Sequence, residues 1–235
     1  YFDGRTASDL LRLLEQLDAD PARNAFEVLV AVNSLDPATQ DWGNRLGDRD
    51  VIVRPNEGFN MGAWQAGWTS RPGHEAYVFL QDDCVIASAG WLSAFRGAMM
   101  SPGTGWVGEA YIRHRDWSTV DRQWRQVHDD FDRLADALAV PPSYPPAHLQ
   151  TVVIGASLRT LETTGGFATG TTKSQAVAAE ILTSVRARHL GLRNRQLAAL
   201  PYRYVRHPQW EAYRRSCLRP DRALIASVRH WRETR

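Results

Sequence analysis

The sequence predicts an α/β fold, a mostly parallel twisted sheet with helices on both faces. Two observations predict it. Up to residue 112, short apolar runs alternate with stretches of helical period, the rhythm of a doubly wound sheet. The runs themselves, such as Tyr77-Val78-Phe79-Leu80, are short, β-branched and aromatic, which suits strands buried on both faces. With 235 residues, 43% of them hydrophobic, the chain can bury a substantial core as one large domain or two small ones.

The elements follow in order. Thr6-Ala7-Ser8-Asp9 signals a helix start, and Leu10, Leu13, Leu14 and Leu17 continue it as an apolar stripe until Pro21. Residues 26–32 form the first strand, which ends in the polar turn Asn33-Ser34-Leu35-Asp36-Pro37. Residues 50–54 form a second strand, and Asn60 is placed to cap a helix running to about Thr69. Residues 77–82 are the third strand, 91–100 a helix and 106–112 a further strand. There the rhythm breaks. Residues 113–148 are polar and rich in Arg and Asp, with one helix expected over 120–138 and a proline cluster at 141–146, and they read as an insertion beside the site. Residues 151–157 resume strand character, and Gly165-Gly166-Phe167 opens a flexible loop to Thr172. A helix is expected over 174–190, ended by Gly191, and a last strand over 202–206 leads into His207. The tail, residues 208–235, closes with a basic amphipathic helix carrying Leu224, Val228 and Trp231 on one face. The opening Tyr1-Phe2-Asp3-Gly4-Arg5 reads as the loop after a strand that would precede it.

Bulk composition narrows the function. A net charge of +2 gives no reason to expect nucleic acid. The only lysine is Lys173, so the basic charge is almost all arginine, the better bidentate phosphate ligand. Cys84 and Cys217 make no disulfide framework. No apolar run reaches the length of a membrane span and no signal peptide opens the sequence, so a cytoplasmic enzyme is expected. The tail helix could lie on anionic lipid at the inner face of a membrane; docking on its own domain or a sister subunit is the commoner use of such a helix.

The third strand runs straight into Asp82 and Asp83. Adjacent acids there are costly unless something positive meets them. Ligands in open α/β sheets bind beyond the carboxyl ends of strands. A divalent cation carrying phosphates is therefore a natural occupant, although both acids could simply cap the next turn. The segment Asn56-Glu57-Gly58-Phe59-Asn60-Met61-Gly62 follows the second strand and opens a helix, whose positive end could meet an anion. Its glycines serve helix–sheet packing equally well.

Together these pieces resemble the family 2 glycosyltransferases, inverting enzymes of the GT-A fold. Four features carry the likeness: the strand ending at Asn33-Ser34-Leu35-Asp36; Asn56-Glu57-Gly58 with Asn60 and Gly62; Leu80-Gln81-Asp82-Asp83 with Gly90-Trp91-Leu92; and Gly155-Ala156 through Gly165-Gly166-Phe167. The form Asn-Glu-Gly-Phe-Asn-Met-Gly-Ala-Trp is similar to the branch that builds bacterial cell-surface polysaccharides, such as rhamnose-containing ones. The resemblance spans residues 1–207 and implies a nucleotide-sugar-binding half (1–112), the insertion (113–148) and an acceptor-side half (149–207). It also implies one antiparallel strand near the C-terminal half.

The resemblance assigns roles. Asp83 and the late His207 would hold a manganese or magnesium ion; an imidazole beside a carboxylate suits manganese better. Tyr1, Asn33, Asp36, Asn56, Gly58, Asn60, Gly62, Gln81 and Asp82 would bind the donor, a UDP-, dTDP- or GDP-linked sugar. Trp106, Gly166 and Phe167 would meet the acceptor, a carbohydrate or lipid-linked glycan. Gln81 stands where the family has an acid, and Asn33 replaces the usual acid near the nucleobase. No Glu-Asp pair follows Gly165-Gly166-Phe167, so Glu180, which Arg186 and Gly191 follow at family-like spacing, aligns with the catalytic base. The other reading of Glu180 is an ordinary acid near a helix N-terminus. Asp83 is expected to be unpaired when no ion is present. Two other classes remain: a nucleotidyltransferase, which usually shows a glycine-rich, lysine-bearing loop not visible here, and a non-catalytic polysaccharide- or nucleic-acid-binding module.

Overall fold

The computed structural model describes residues 7–37, 42–114, 116–123, 126–141 and 144–217. Tyr1 and the basic segment after Pro220 lie outside the described residues. Helix α1 (Ser8–Asp18) buries Leu10, Leu13, Leu14 and Leu17, the stripe its sequence period dictates. Strand β1 (Leu29–Ser34), helix α2 (Trp42–Leu46), strand β2 (Asp50–Pro55) and helix α3 (Phe59–Ser70) follow. β1 and β2 pair in parallel, so their carboxyl ends, Asn33-Ser34 and Arg54-Pro55, lie side by side. Then come β3 (Ala76–Leu80), β4 (Val85–Ile86), α4 (Trp91–Met99), β5 (Thr104–Gly108) and β6 (Tyr111–Ile112). Helices α5 (Trp117–Gln123) and α6 (Val127–Ala137) come next. The chain returns through β7 (His148–Leu149), β8 (Val153–Ser157), α7 (Leu158–Thr164), α8 (Lys173–His189), β9 (Arg193–Gln196), β10 (Val205–Arg206) and α9 (Glu211–Cys217).

The central sheet has the order β3-β8-β5-β9. β8 pairs antiparallel with both β3 and β5, and β9 is parallel to β5, so three strands run one way and β8 alone runs back. This is the mixed α/β architecture the sequence predicts, with β8 as its reversed strand. Alternation places successive side chains on opposite faces. Val78, Val107 and Val153 pack with Trp91, Phe95 and Met99 of α4 on one face. Phe79, Trp106 and Ile154 pack with Met61 and Trp64 of α3 and Leu161 of α7 on the other. Gly155 of β8 lets α4 close on the sheet, because a Cβ there would come within 2.8 Å of the Met99 sulfur.

The single helix expected over 120–138 is two helices. The break falls at Gln126, whose φ of 72° no α-helix accommodates. Val127, Phe131 and Ala135 recur every four residues along α6 and bury against Ala178, Ile181, Leu182 and Val185 of α8. Helix α6 is thus packed on the helix that carries Glu180. Helix α7 and strand β9 are among the elements without a sequence expectation. α7 starts where the Ser157 hydroxyl accepts from the Thr160 N–H, and β9 is an edge strand of alternating exposed Arg193 and Arg195.

Candidate active site

The turn after β3 carries the acidic tip. The Cys84 N–H donates to the Gln81 carbonyl at 3.1 Å, which makes Asp82 and Asp83 the two central residues of a β-turn. The short ladder of β4 with β10 pairs Ile86 with Val205 and Val85 with Arg206. The next residue on that strand is His207, which lands beside Asp83. Its Nε2 lies 2.7 Å from Asp83 Oδ1, and the imidazole is almost fully buried while the carboxylate keeps a face to solvent. The Gln209 N–H donates to His207 Nδ1 at 3.2 Å, which turns Nε2 toward Asp83 and toward Gln81 Oε1 at 3.0 Å. Asp83 therefore has a partner in the protein itself, contrary to the expectation that it would be unpaired.

Gln81 explains its own departure from the acid expected there. Its Nε2 donates to the Thr151 carbonyl at 3.0 Å while its Oε1 faces His207. A carboxylate in that position would set oxygen against the Thr151 oxygen; the amide presents an N–H instead. Thr151 is the hub of the site. Its carbonyl also accepts from Asn60 Nδ2 at 2.9 Å, and its N–H donates to Glu180 Oε1 at 2.9 Å. One residue thus joins α3, the acidic tip and α8. Glu180 lies in the middle of α8, which begins at Lys173, too far inside for a helix-end charge effect. Its carboxylate is partly open to solvent and is approached from the insertion side by His148.

Several expected donor contacts have other duties. Asn60 does not cap α3: Gly58, with φ of 74°, is the N-terminal flank and no side chain caps it. Asn33 is buried, donates from Nδ2 to the Phe59 carbonyl at 2.8 Å and accepts from Arg54 at 2.6 Å, so its amide fixes the start of α3. Arg54 is part-buried there, and that burial lowers its pKa, while nearby Glu57 acts the other way. Gly62 is a packing glycine, since a Cβ would fall 2.1 Å from the Glu57 carbonyl oxygen. Asn56 and Asp36 are exposed at the joined ends of β2 and β1, and the Asn56 N–H donates to the Ser34 carbonyl at 3.2 Å. Asp82 is half-buried on the turn.

The acceptor contacts expected of Trp106, Gly166 and Phe167 are corrected. Trp106 is 0% exposed and Phe167 6%, and their rings lie 4.7 Å apart in the core, so neither offers a face to a sugar. Gly166 is a tight backbone approach: a Cβ would sit 2.2 Å from Gln65 Oε1, the oxygen that accepts the Phe167 N–H at 2.8 Å. With Gly165 at φ of 67°, and bonds from the Gly165 and Gly166 N–H groups back to Glu162 and Leu161, α7 ends in a Schellman pattern. The loop read as flexible is sewn onto α3 in this way. It delivers the chain to the start of α8.

Glu109 was missed by sequence reading, although an acid inside an apolar run is a signal. It is fully buried and accepts the N–H groups of Arg203, Tyr204 and Val205 at 2.9, 3.0 and 2.8 Å. These bonds fix the segment that presents His207. Burial pushes its pKa up to about 7 from 4.5, against the pull of the three N–H groups. Because the folded carboxyl holds its proton more tightly than the unfolded one, its contribution is fully present below pH 4.5 and is lost as pH rises through 7. The size is about 3 kcal/mol. Denaturant midpoints of wild type and Glu109→Gln compared from pH 5 to 8 are expected to diverge by about that amount, with only the wild type losing stability from this source; parallel curves would contradict it.

The donor set at the tip fits a hard or borderline divalent ion. The Asp83 carboxylate offers its oxygens there, and His207 Nε2, 2.7 Å away, carries the ring proton while Nδ1 accepts the Gln209 N–H, so it would join the ligand set only once that bond is released. Such ions are held by one or two protein groups plus substrate phosphates rather than by a full protein cage. No cluster of three or more His, Cys, Asp or Glu side chains suited to a metal occurs among the described residues.

No family model matches the sequence, and no curated protein does. Among solved structures the fold is similar to that of the mannosyltransferase PcManGT from Pyrobaculum calidifontis, determined in complex with GDP-Man and Mn2+. The TM-score is 0.51 at 17% identity, over 90% of this chain and 58% of that one. The chain therefore shares the α/β fold of that enzyme and spans 58% of its length. No helix among the described residues is long and apolar enough to cross a membrane.

Proposed function

We propose that this chain is a metal-dependent inverting glycosyltransferase. It would move a sugar from a nucleotide-sugar donor to a hydroxyl of a carbohydrate or lipid-linked acceptor. One observation carries the reading: Asp83 and His207 converge at a strand end and are tied through Gln81 and Thr151 to Glu180, within a fold shared with a GDP-Man- and Mn2+-bound mannosyltransferase. The likeness to the branch that builds bacterial cell-surface polysaccharides, by a family 2 enzyme of the GT-A fold at the cytoplasmic face, supports the choice of acceptor class.

Asp83 and His207 would hold a manganese or magnesium ion, which when bound neutralises charge on the departing diphosphate. Gln81 keeps the imidazole turned toward the tip. Glu180 takes the proton of the acceptor hydroxyl as that oxygen attacks the anomeric carbon. The Thr151 N–H holds the carboxylate in place for this task. Thr151 also couples the donor and acceptor sides through hydrogen bonds rather than through mobile loops, which favours alignment of the reactants. A single displacement on this plan inverts the anomeric centre. Incubation with a panel of UDP-, dTDP- and GDP-sugars, with Mn2+ and candidate acceptors, tests the reading. Release of nucleoside diphosphate coupled to a glycosylated product is expected; no turnover of any donor contradicts it.

A further inference from the structure

His148 sits at the neck of the insertion, where β7 pairs antiparallel with β6 and His148 lies opposite Ile112. β7 is clamped to α8 by the Leu149 N–H, which donates to Ser184 Oγ at 3.0 Å. Ser184 is one helical turn beyond Glu180 on the same face, so the clamp brings His148 alongside the Glu180 carboxylate. The imidazole is buried, and its Nδ1 lies 2.9 Å from the Pro146 carbonyl. A carbonyl can only accept, so Nδ1 carries a proton and donates it. In the neutral ring Nε2 is then a bare acceptor, and it faces Glu180 Oε1 at 3.7 Å. Two acceptors held face to face gain when one of them receives a proton.

We infer that His148 is a positioning residue for Glu180, supplying the acceptor that the carboxyl group bonds once it has taken a proton. This rests on the reading of Glu180 as the base. In the step, the O–H bond of the acceptor breaks and its oxygen bonds the anomeric carbon. The bond from that carbon to the diphosphate oxygen breaks, and its electron pair leaves with the diphosphate. The proton ends on Glu180, in a bond Oε–H···Nε2 to His148. Closing the present 3.7 Å to a hydrogen-bond length asks for a movement of about 1 Å. The Thr151 N–H holds the carboxylate in place before the step, and His148 stands ready to receive a bond from it after the step. No acid follows the Gly165-Gly166-Phe167 loop up to Glu180, so the histidine does from the insertion side what a second acid cannot do here.

The test pairs kinetics with nitrogen NMR. His148→Phe keeps a ring of similar size and removes the acceptor; turnover is expected to fall about tenfold, the worth of one hydrogen bond, with KM unchanged. His148→Gln restores an acceptor oxygen and is expected to recover part of the loss. In the wild-type 15N spectrum His148 is expected to carry its proton on Nδ1. Its Nε2 resonance is expected to move in Glu180→Gln, which removes the carboxylate charge facing it, and to stay fixed in the control Glu162→Gln. Unchanged turnover in His148→Phe, a proton on Nε2, or no response to Glu180→Gln overturns the inference. Absence of turnover in the wild type overturns the transferase reading and the proton step with it, while the nitrogen spectrum still decides whether the two side chains are paired.

Discussion

Asp83→Ala is expected to abolish sugar transfer at saturating Mn2+. Removing the carboxylate leaves His207 as the remaining proposed protein ligand, and the charge stabilisation supplied by such an ion is worth several kcal/mol. At 1.4 kcal/mol per tenfold, the rate should fall by about three orders of magnitude. The fold should survive. His207 keeps Gln81 and Gln209 as partners, so the cost in stability is about 1 kcal/mol, one hydrogen bond lost from a part-exposed pair. Initial rates and thermal melts on the same preparations check both halves. Full turnover in a folded Asp83→Ala protein would reject the role of the acidic tip.

Glu180→Gln is expected to lower turnover by a factor of about 10² to 10⁴ while donor affinity stays constant. The amide is nearly isosteric and its oxygen can still accept the Thr151 N–H, so the hub around Thr151 is preserved. What the substitution removes is the ability to take a proton. Turnover measured beside donor binding separates the two effects. If affinity falls and turnover does not, Glu180 shapes the donor pocket and is not the base.

Much of this architecture is legible in the sequence because it rests on local pattern. The leucine spacing of α1 and the apolar runs of β2 and β3 each follow from a period that one segment carries by itself. The joining of Asp83 with His207 was legible only through the family resemblance, since 123 residues of chain lie between the two. What escaped was set by tertiary context. β9 has the sequence Arg-Asn-Arg-Gln, which shows no apolar period; it is a strand because β5 offers it an edge. Trp106 has the residue type of a sugar platform, yet it faces α7 and Phe167 in the core, and one residue of register decides that. Thr151 works through its backbone N–H and carbonyl, which every residue except proline possesses, so its side chain advertises nothing. His148 stands among seven histidines of the sequence with no ligand spacing, and only the fold brings it to Glu180.

The central claim is that the tip at Asp83 grips a cation that anchors the diphosphate of an activated sugar. Titration calorimetry of wild type and Asp83→Ala with UDP, dTDP and GDP, each with and without Mn2+, measures it directly. The account predicts that one of these nucleotides binds wild type only when Mn2+ is present and does not bind the variant. Equal affinity with and without the metal, or undiminished binding to Asp83→Ala, would contradict it.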